Sequence, residues 1–326
     1  MVSVERVALG YNNVYFVSQG SELVVIDTGP DYRGARESLA SALRGRTPAL
    51  VVATHGHLDH AGLGAWWQTQ GVPVLLGEAD LPQAEGHSDA DIDLLEEFIA
   101  TIGAPPSVEA EAVAGLEQRR EWTRRMRHEA KWPEAKDGRW PTGLRYECFT
   151  PKQLTPGDRE LPIPGLKAVT SPGHTPGNLV VEYSNSSRAE RAELLFSGDQ
   201  LLPEITPTPA IQFQNGRRFP SLPRFVDSLR RWETSCPKFC YPGHGEPFSN
   251  VAEVIAANLA QVDQRSQRLR EELRDMGSAT VYEVAERMYP RALRRRFWQI
   301  ISTVQGHLDV LAEAGEASED GGRWRS

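Results

Sequence analysis

Cysteine is scarce in this chain: three cysteines, Cys148, Cys236 and Cys240, occur among 326 residues. An odd and sparse count argues against a disulfide framework and fits a reducing cytoplasm. Cys236 and Cys240 have no second ligand pair at the spacing of a zinc site. We therefore interpret all three as packing residues.

Long hydrophobic runs and an excess of positive charge are also missing. No apolar run approaches the ~20 residues of a membrane span, and the N-terminal segment lacks the basic and apolar regions of a secretion signal. The formal net charge is −8, so binding of nucleic acid would need a local basic patch. These absences predict a soluble cytoplasmic protein with no membrane partner.

What is present is ordinary globular composition, with 40% hydrophobic and 25% charged residues. Short β-branched strands alternate with helical segments up to about Gly77, which indicates α/β layers. Helix formers then dominate residues 78–145, predicting an inserted helical subdomain. Strands resume up to 248, and residues 249–326 have helices followed by a hairpin around Asp320 and Gly321. We predict a catalytic domain, 1–248, and a small winged-helix-like domain, 249–326.

The segment THGHLDH contains four side chains of the metal-binding type. His55 and His57 are two residues apart on an extended segment, so they point to the same side and can bind one borderline-soft ion such as zinc. Asp59 and His60 follow at a predicted helix start and face another direction, where a second ion could bind. The alternative for Asp59 is a helix cap, since Asp is favoured there.

Further ligand types occur downstream, each just after a strand. His174 lies in SPGHTPG, Asp199 in FSGDQ and His244 in YPGHGE. Sites in α/β proteins are built at these carboxyl ends of strands. Asp27, which ends another strand, could orient a ligand histidine through its far ring nitrogen. Thr54 and Thr175 are candidates for the same role, with turn hydrogen bonding as the equal alternative.

Together, in this order, the motifs VIDTG, THGHLDH, SPGHTPG, FSGD and PGHGE resemble the metallo-β-lactamase superfamily over about residues 7–247. The resemblance implies a four-layer αβ/βα sandwich with two divalent ions, zinc being the expected metal and iron or manganese the alternatives. It implies that one ion is held by His55, His57 and His174. It implies that the other is held by Asp59, His60 and His244, with Asp199 bridging both.

Such a site predicts hydrolysis by a water that the two ions share as hydroxide, with Asp59 and Asp199 as the catalytic carboxylates. The overall plan is similar to a branch with lactamase-like endoribonucleases and thioesterase-like hydrolases. We favour a small thioester, lactone or ester as substrate. The alternatives are a single-strand-specific endoribonuclease or phosphodiesterase and, less favoured, a DNA-binding regulator acting through the C-terminal domain. The sequence leaves open whether the protein forms a homodimer.

The segments expected around the substrate leave several choices open. The insertion combines tryptophans with basic residues, which indicates either a grip on phosphates or a solvated helix with tryptophans buried on the core. These residues are Trp122, Trp132, Trp140, Arg119, Arg120, Arg124, Arg125, Arg127 and Lys131. In the tail, Arg294, Arg295 and Arg296 could meet nucleic acid, but we expect the tail to pack on the core and wall the pocket. Trp66 and Trp67 are either pocket-lining or core residues.

Overall fold

The computed structural model describes residues 2–86, 88–128, 132–135, 138–155, 157–185, 192–207 and 209–326. Within these ranges, no helix combines the length and the apolar character that a membrane span requires.

The N-terminal half of the molecule forms a six-stranded sheet. Its strands, in spatial as in chain order, are β1 (Ser3–Leu9), β2 (Asn12–Gln19), β3 (Glu22–Ile26), β4 (Leu50–Val52), β5 (Val74–Gly77) and β6 (Lys152–Leu154). The first three strands are antiparallel, and β3 to β6 are parallel. The helices along this part of the chain are α1 (Ala35–Leu43), α2 (Leu58–Ala61) and α3 (Gly64–Thr69).

Helices dominate the chain from the end of β5 to His128, and the described residues between 132 and 151 form turns and irregular structure. A 3₁₀ turn (Glu78–Asp80) leads into α4 (Leu81–Glu85), α5 (Ser88–Thr101) and α6 (Pro106–His128). The α5 and α6 pair has its own apolar cluster, made by Ile92, Leu95, Ile99, Ala112 and Leu116.

A second, five-stranded sheet follows. Its strands are β7 (Asp158–Glu160), β8 (Leu166–Thr170), β9 (Leu179–Tyr183), β10 (Leu194–Gly198) and, after a separate hairpin, β13 (Phe239–Pro242). The hairpin consists of β11 (Gln212–Gln214) and β12 (Arg217–Phe219). The β10–β13 pair is parallel, and the other pairs are antiparallel. Helix α7 (Ser221–Ser235) precedes β13, and α8 (Val251–Met276) comes after it.

The remaining chain contains α9 (Val281–Met288), α10 (Pro290–Leu293), α11 (Phe297–Glu313), β14 (Ser318–Asp320) and β15 (Arg323–Arg325). Thr280 caps α9 in a capping box with Glu283, as its sequence position predicts. The β14–β15 hairpin closes around Gly321.

Alternation along the strands sets the layers, because successive side chains point to opposite faces of a sheet. One face of each sheet contributes to a shared apolar cluster that includes Tyr15, Ile26, Leu179 and Phe196. The outer face of the first sheet packs with Leu39 of α1, and that of the second with residues of α7 and α8. The order is helix, sheet, sheet, helix, and the predicted α/β class is confirmed.

Candidate metal centre

The first group of predicted ligands lies at the end of β4. His55 and His57 occupy the turn after this strand, and α2 begins at Leu58. The N-cap position of α2 is His57, and no side-chain cap bond is formed there. Asp59 therefore lies inside the first turn rather than at the cap, and its carboxylate is available for another role.

The remaining predicted ligands come from the second sheet, where three separate strands end. His174 follows β8, Asp199 follows β10 and His244 follows β13. His244 is 6% and Asp199 8% exposed, while His55 and His60 are fully buried. Because these strand ends face the β4 loop, all seven predicted ligands meet in one place, as the resemblance implies.

Three histidine nitrogens converge in the first half of the cluster. His55 Nε2 lies 2.9 Å from His57 Nδ1, which lies 3.2 Å from His174 Nε2. The three ligand atoms lie within 4.8 Å of one another. Three unprotonated imidazoles at this spacing are a donor set that zinc and similar ions accept.

The second half brings together two histidines and a carboxylate. His60 Nε2 lies 3.3 Å from His244 Nε2. The Asp59 Oδ2 atom lies 3.8 Å from His60 Nε2 and 3.5 Å from His244 Nε2. This mixed nitrogen and oxygen set also suits a divalent ion.

Asp199 lies between the two halves. Its Oδ1 is 3.4 Å from His60 Nε2 and 3.3 Å from His244 Nε2, while its Oδ2 is 3.6 Å from His174 Nε2. The Oδ1 atom is buried and has no hydrogen-bond partner. A buried carboxylate oxygen without a partner is costly unless a cation meets it, so the side chains present fit two divalent ions.

Neighbouring groups fix the orientation of several ligand rings. Asp27 Oδ2 lies 2.8 Å from His60 Nδ1, and its Oδ1 accepts hydrogen bonds from the backbone N–H and the hydroxyl of Thr54, both at 2.8 Å. Thr54 Oγ1 lies 3.1 Å from His55 Nδ1. Asp27 has a positive φ of 65°, a backbone strain that such sites often store. Both residues occupy the orienting positions predicted for them.

His244 is held from the other side. Its Nδ1 lies 3.0 Å from the carbonyl oxygen of Tyr11, and the Tyr11 ring stacks on it with centroids 4.2 Å apart. The carbonyl contact leaves Nε2 of the ring free to face the cluster.

Burial and the neighbouring charges together set the pKa values of the cluster. Burial, and then the neighbouring His60, His57 and His174, hold the pKa of His55 well below its usual value. Burial would also lower the pKa of His60, but Asp199, Asp27 and Asp59 outweigh it and raise that pKa. Burial alone would raise the pKa of Asp199, yet His60 and His244 bring it well below its usual value. Without an ion, the cluster thus combines an anionic Asp199 and a proton-poor His55 with a His60 that retains its proton and must release it when a cation binds.

Of the two alternatives left open for Thr175, its hydroxyl does not orient a ligand histidine, and its contact reveals a residue that the motifs missed. Its hydroxyl donates to Asp80 Oδ2 at 2.6 Å instead of contacting a ligand histidine. Asp80 is fully buried and also accepts bonds from the N–H groups of Gly56 (3.0 Å) and Gly177 (2.8 Å). Burial raises the pKa of Asp80, although the three hydrogen-bond donors act to lower it. The available sequence signal was an Asp just beyond strand β5.

A pocket of about 220 Å³ opens beside His57. Its outer wall is formed by α5, α6 and the segment that leads into β11. Apolar side chains on that wall are Ile92, Leu95, Trp122, Met126, Ile211 and Phe213, joined by the charged Asp91 and Arg119. The segment that follows Asp199 therefore reaches the site, and Gln212 Nε2 donates to the backbone oxygen of His174 at 2.7 Å.

The tryptophans divide between pocket and core. Trp122 is 40% exposed and lines the pocket. Trp132 and Trp140 pack against the first sheet's outer cluster, as does Trp66, while Trp67 is fully buried in it. The core alternative thus holds for Trp66 and Trp67.

The basic residues of the insertion mostly face carboxylates or solvent. Arg120 pairs with Asp93 at 2.6 Å, and Arg125 pairs with Glu121 at 3.0 Å. Lys131 lies outside the described residues, as does the side chain of Arg127. In the tail, Arg294, Arg295 and Arg296 are exposed.

Comparisons with known proteins agree with this geometry. The model of the "Metallo-beta-lactamase superfamily" matches residues 7–244. The chain is 27% identical to the "Probable metallo-hydrolase YqjP" of Bacillus subtilis, over 95% of this chain and 90% of that protein. A metallo-beta-lactamase family protein of Thermus thermophilus has a similar structure, with a TM-score of 0.69 and 22% identity. The match covers 99% of this chain and 98% of that chain. A beta-lactamase domain protein of Burkholderia ambifaria is also similar, with a TM-score of 0.64 and 21% identity. The match covers 100% of this chain and 92% of that chain.

Proposed function

Because the chain belongs to the metallo-beta-lactamase superfamily and is a metal-dependent hydrolase, we propose that it is a dinuclear enzyme acting on a small thioester, lactone or ester. His55, His57 and His174 would hold one ion, and Asp59, His60 and His244 would hold the other. Asp199 would contribute to both. Support comes from the distances within the two triads and from the unpaired Asp199 oxygen between them. Zinc is the metal we expect.

When bound, two divalent ions would lower the pKa of a water and supply a Lewis acid for the substrate carbonyl. The chain's own side chains do the rest. Asp59 directs Oδ2 toward His60 and His244, so Oδ1 is free to orient the attacking water. Asp59 takes a proton from that water and delivers it to the leaving sulfur or oxygen when the acyl bond breaks.

The observation that carries the substrate class is the apolar pocket beside His57. Its volume of about 220 Å³ accommodates a short acyl chain, since a water-sized group takes roughly 30 Å³. Aliphatic and aromatic side chains from α5, α6 and the β11 segment line the outer wall. A nucleic-acid strand would instead need a positively charged groove with several stacking platforms. Arg119 is the cation among the residues lining this pocket, and Asp91 offsets it.

We propose that residues 1–248 form the catalytic domain, with residues 78–145 as an insertion that walls the pocket. Residues 249–326 form a C-terminal domain with a winged-helix-like outline. The Ile211 N–H donates a hydrogen bond to Ser302 Oγ at 3.1 Å, which joins the pocket wall to α11. This contact supports a bracing role for the C-terminal domain rather than a role in DNA binding.

A single purified, zinc-loaded sample tests the substrate class. We expect hydrolysis of hexanoyl-N-acetylcysteamine or of a medium-chain lactone, abolished by a chelator and restored by zinc. A single-stranded RNA of mixed sequence serves as the competing substrate. Cleavage of the RNA, weakening steeply with salt, together with inert thioesters and lactones would contradict the proposal and favour a ribonuclease.

A further inference from the structure

Asp80 joins two loops that carry metal ligands but lie far apart in the sequence. Its Oδ2 accepts the Gly56 N–H, 24 residues away, and its Oδ1 accepts the Gly177 N–H, 97 residues away. Gly56 stands between His55 and His57. Thr175, which donates to Oδ2, is adjacent to His174. One carboxylate thereby holds both loops that supply the three-histidine half of the cluster.

The contact is closed to any larger side chain. A Cβ on Gly177 would lie 2.6 Å from Asp80 N and 2.7 Å from Asp80 Oδ1. A Cβ on Gly56 would lie 2.4 Å from Gln83 Oε1. Gly177 thus packs directly on the backbone of Asp80 and Gly56 on the side chain of Gln83, so the donors have little room to find other partners. The carboxylate therefore fixes the separation of the loops together with the backbone hydrogen bond from Leu179 N to the Thr54 oxygen, 2.7 Å long.

The two halves of the metal cluster are supported differently. His60 is oriented by Asp27 and His244 by the Tyr11 carbonyl. In the other half, His174 Nδ1 is buried without a partner, so no group among the described residues orients that ring directly. The position of His174 relative to His57 therefore depends on its backbone. Gln200 Oε1 accepts the His174 N–H at 3.0 Å and Gln212 Nε2 donates to its carbonyl oxygen at 2.7 Å. Asp80 holds the next part of the same loop through Thr175 and Gly177.

We propose that Asp80 is a positioning residue that selectively controls binding of the ion held by His55, His57 and His174. It acts by fixing the distance between the two loops, and it does not touch the ion. This inference rests on the proposed dinuclear site. Removing one hydrogen-bond acceptor of Asp80 lets the loops separate, and the three nitrogens then meet less often in binding geometry. The other ion keeps its own support.

The test uses two backgrounds that each retain one site. His244→Ala leaves the three-histidine site, and His174→Ala leaves the site of Asp59, His60 and His244. Zinc affinity is measured in each by competition with a chromophoric chelator. We expect Asp80→Asn to weaken zinc binding on the order of 10- to 100-fold in the first background. In the second background we expect a change of less than about 3-fold.

Two further variants sharpen the test. Thr175→Val removes one hydrogen-bond donor and should weaken binding of the same ion by a smaller factor. This variant keeps the inference testable if Asp80→Asn folds poorly. Asp227→Asn removes an exposed carboxylate that pairs with Arg224, and should leave zinc affinity unchanged. Equal weakening in both backgrounds, or none in the first, would overturn the inference.

A metal-free measurement separates this inference from the dinuclear proposal. In chelator-treated protein, hydrogen exchange of the amides of Gly56 and Gly177 should accelerate at least about 10-fold in Asp80→Asn. Exchange as slow as in the parent protein would show that Asp80 does not hold the loops. A parent protein that takes up a single ion would refute the dinuclear site while leaving the exchange result to decide the role of Asp80.

Discussion

At the scale of single residues, Asp199 is the side chain that contacts histidines of both halves of the cluster. Its oxygens lie 3.3 to 3.6 Å from His60, His244 and His174. No other carboxylate among the described residues has contacts to both triads within the metal-site groups. The proposed bridge therefore depends on one side chain.

Replacing Asp199 with Ala should lower zinc content and activity together. We expect fewer than two ions per chain and a loss of more than about 100-fold in kcat/KM, since even the partners of ligands are worth 10- to 100-fold. Elemental analysis and initial rates measure the two effects. Asp227→Ala, which removes an exposed carboxylate paired with Arg224, is the control. Full zinc occupancy at the parental rate would contradict the assignment of Asp199.

Asp59→Asn separates binding from proton transfer. The amide keeps one oxygen for an ion but cannot take a proton from water, so we expect partial zinc retention and a fall in kcat of about 10²-fold or more. The pH profile of kcat should also lose its acidic limb. Unchanged turnover in a zinc-loaded sample would remove Asp59 from the mechanism.

His307 lies far along the chain from the cluster and should make stability depend on pH. It is 2% exposed, with Nδ1 2.8 Å from Ser266 Oγ. Burial, aided by Arg265, lowers its pKa to about 4. Between an unfolded pKa near 6.5 and the folded value, only the unfolded chain takes the proton. The contribution of His307 to stability is therefore fully present above about pH 6.5. The free energy of unfolding falls by up to about 3 kcal/mol as the pH drops toward 4.

Urea unfolding at several pH values, with chelator present throughout, measures this effect. His307→Gln retains a hydrogen-bonding group without the titration, so the loss of stability between pH 6.5 and 4 should be smaller than in the parent. Parallel curves for the two proteins would show that His307 does not contribute.

At the scale of secondary-structure elements, the β11–β12 hairpin links the pocket to the last long helix. Arg218 on β12 makes a bidentate pair with Asp309 on α11, with Nη2 and Oδ1 2.8 Å apart. Gln305 Nε2 donates to the same carboxylate at 2.9 Å. Helix α11 thus fixes a hairpin whose neighbouring residues form the pocket wall.

Asp309→Asn should weaken this link. The remaining guanidinium is partly exposed, so we expect a loss of stability of about 1–3 kcal/mol, and a higher KM for the acyl substrate with little change in kcat. Arg224→Gln, which breaks the exposed pairs with Asp227 and Glu313, should cost less than about 1 kcal/mol. An unchanged KM for Asp309→Asn would show that the hairpin holds its position without α11.

The sequence allowed prediction of elements whose signal is local. The two-residue spacing of His55 and His57 and the turn motifs around His174 and His244 predict strand ends with ligands, and the structure brings them together. Asp80 could not be predicted in this way, because its role depends on Gly177 lying beside it after folding. For Trp66 and Trp67 the sequence left two alternatives, since an aromatic pair on a helix fits either a pocket or a core.

At the scale of the whole molecule, the C-terminal helices complete the apolar clusters of the earlier chain. Val251, Ile255 and Val262 of α8 pack with Phe225 and Leu229 of α7. Phe98 of α5 and Ile102, which directly follows this helix, belong to the cluster formed with α9 and α11. The insertion and the tail therefore share a core, although the sequence alone presented them as separate additions.

Truncation after Phe248 should therefore prevent stable folding rather than release an active catalytic domain. Removal of α8 and α11 exposes large apolar surfaces, which favours aggregation. Soluble yield and near-ultraviolet circular dichroism measure the outcome. The triple change of Arg294, Arg295 and Arg296 to Gln is the matched control that leaves the core intact, and it should retain folding and thioester hydrolysis. A soluble, cooperatively folded 1–248 fragment would contradict this expectation.

The contact between Gly77 at the end of β5 and Gly177 has a consequence for variation of this protein. A methyl group added to Gly77 would sit 1.9 Å from the Gly177 carbonyl oxygen, so even alanine would act as a wedge between the N-terminal and C-terminal sheets. Libraries that diversify the neighbourhood of the cluster should leave both glycines untouched and place new side chains at Trp122 of the pocket wall, which is 40% exposed, where added bulk meets solvent instead of backbone.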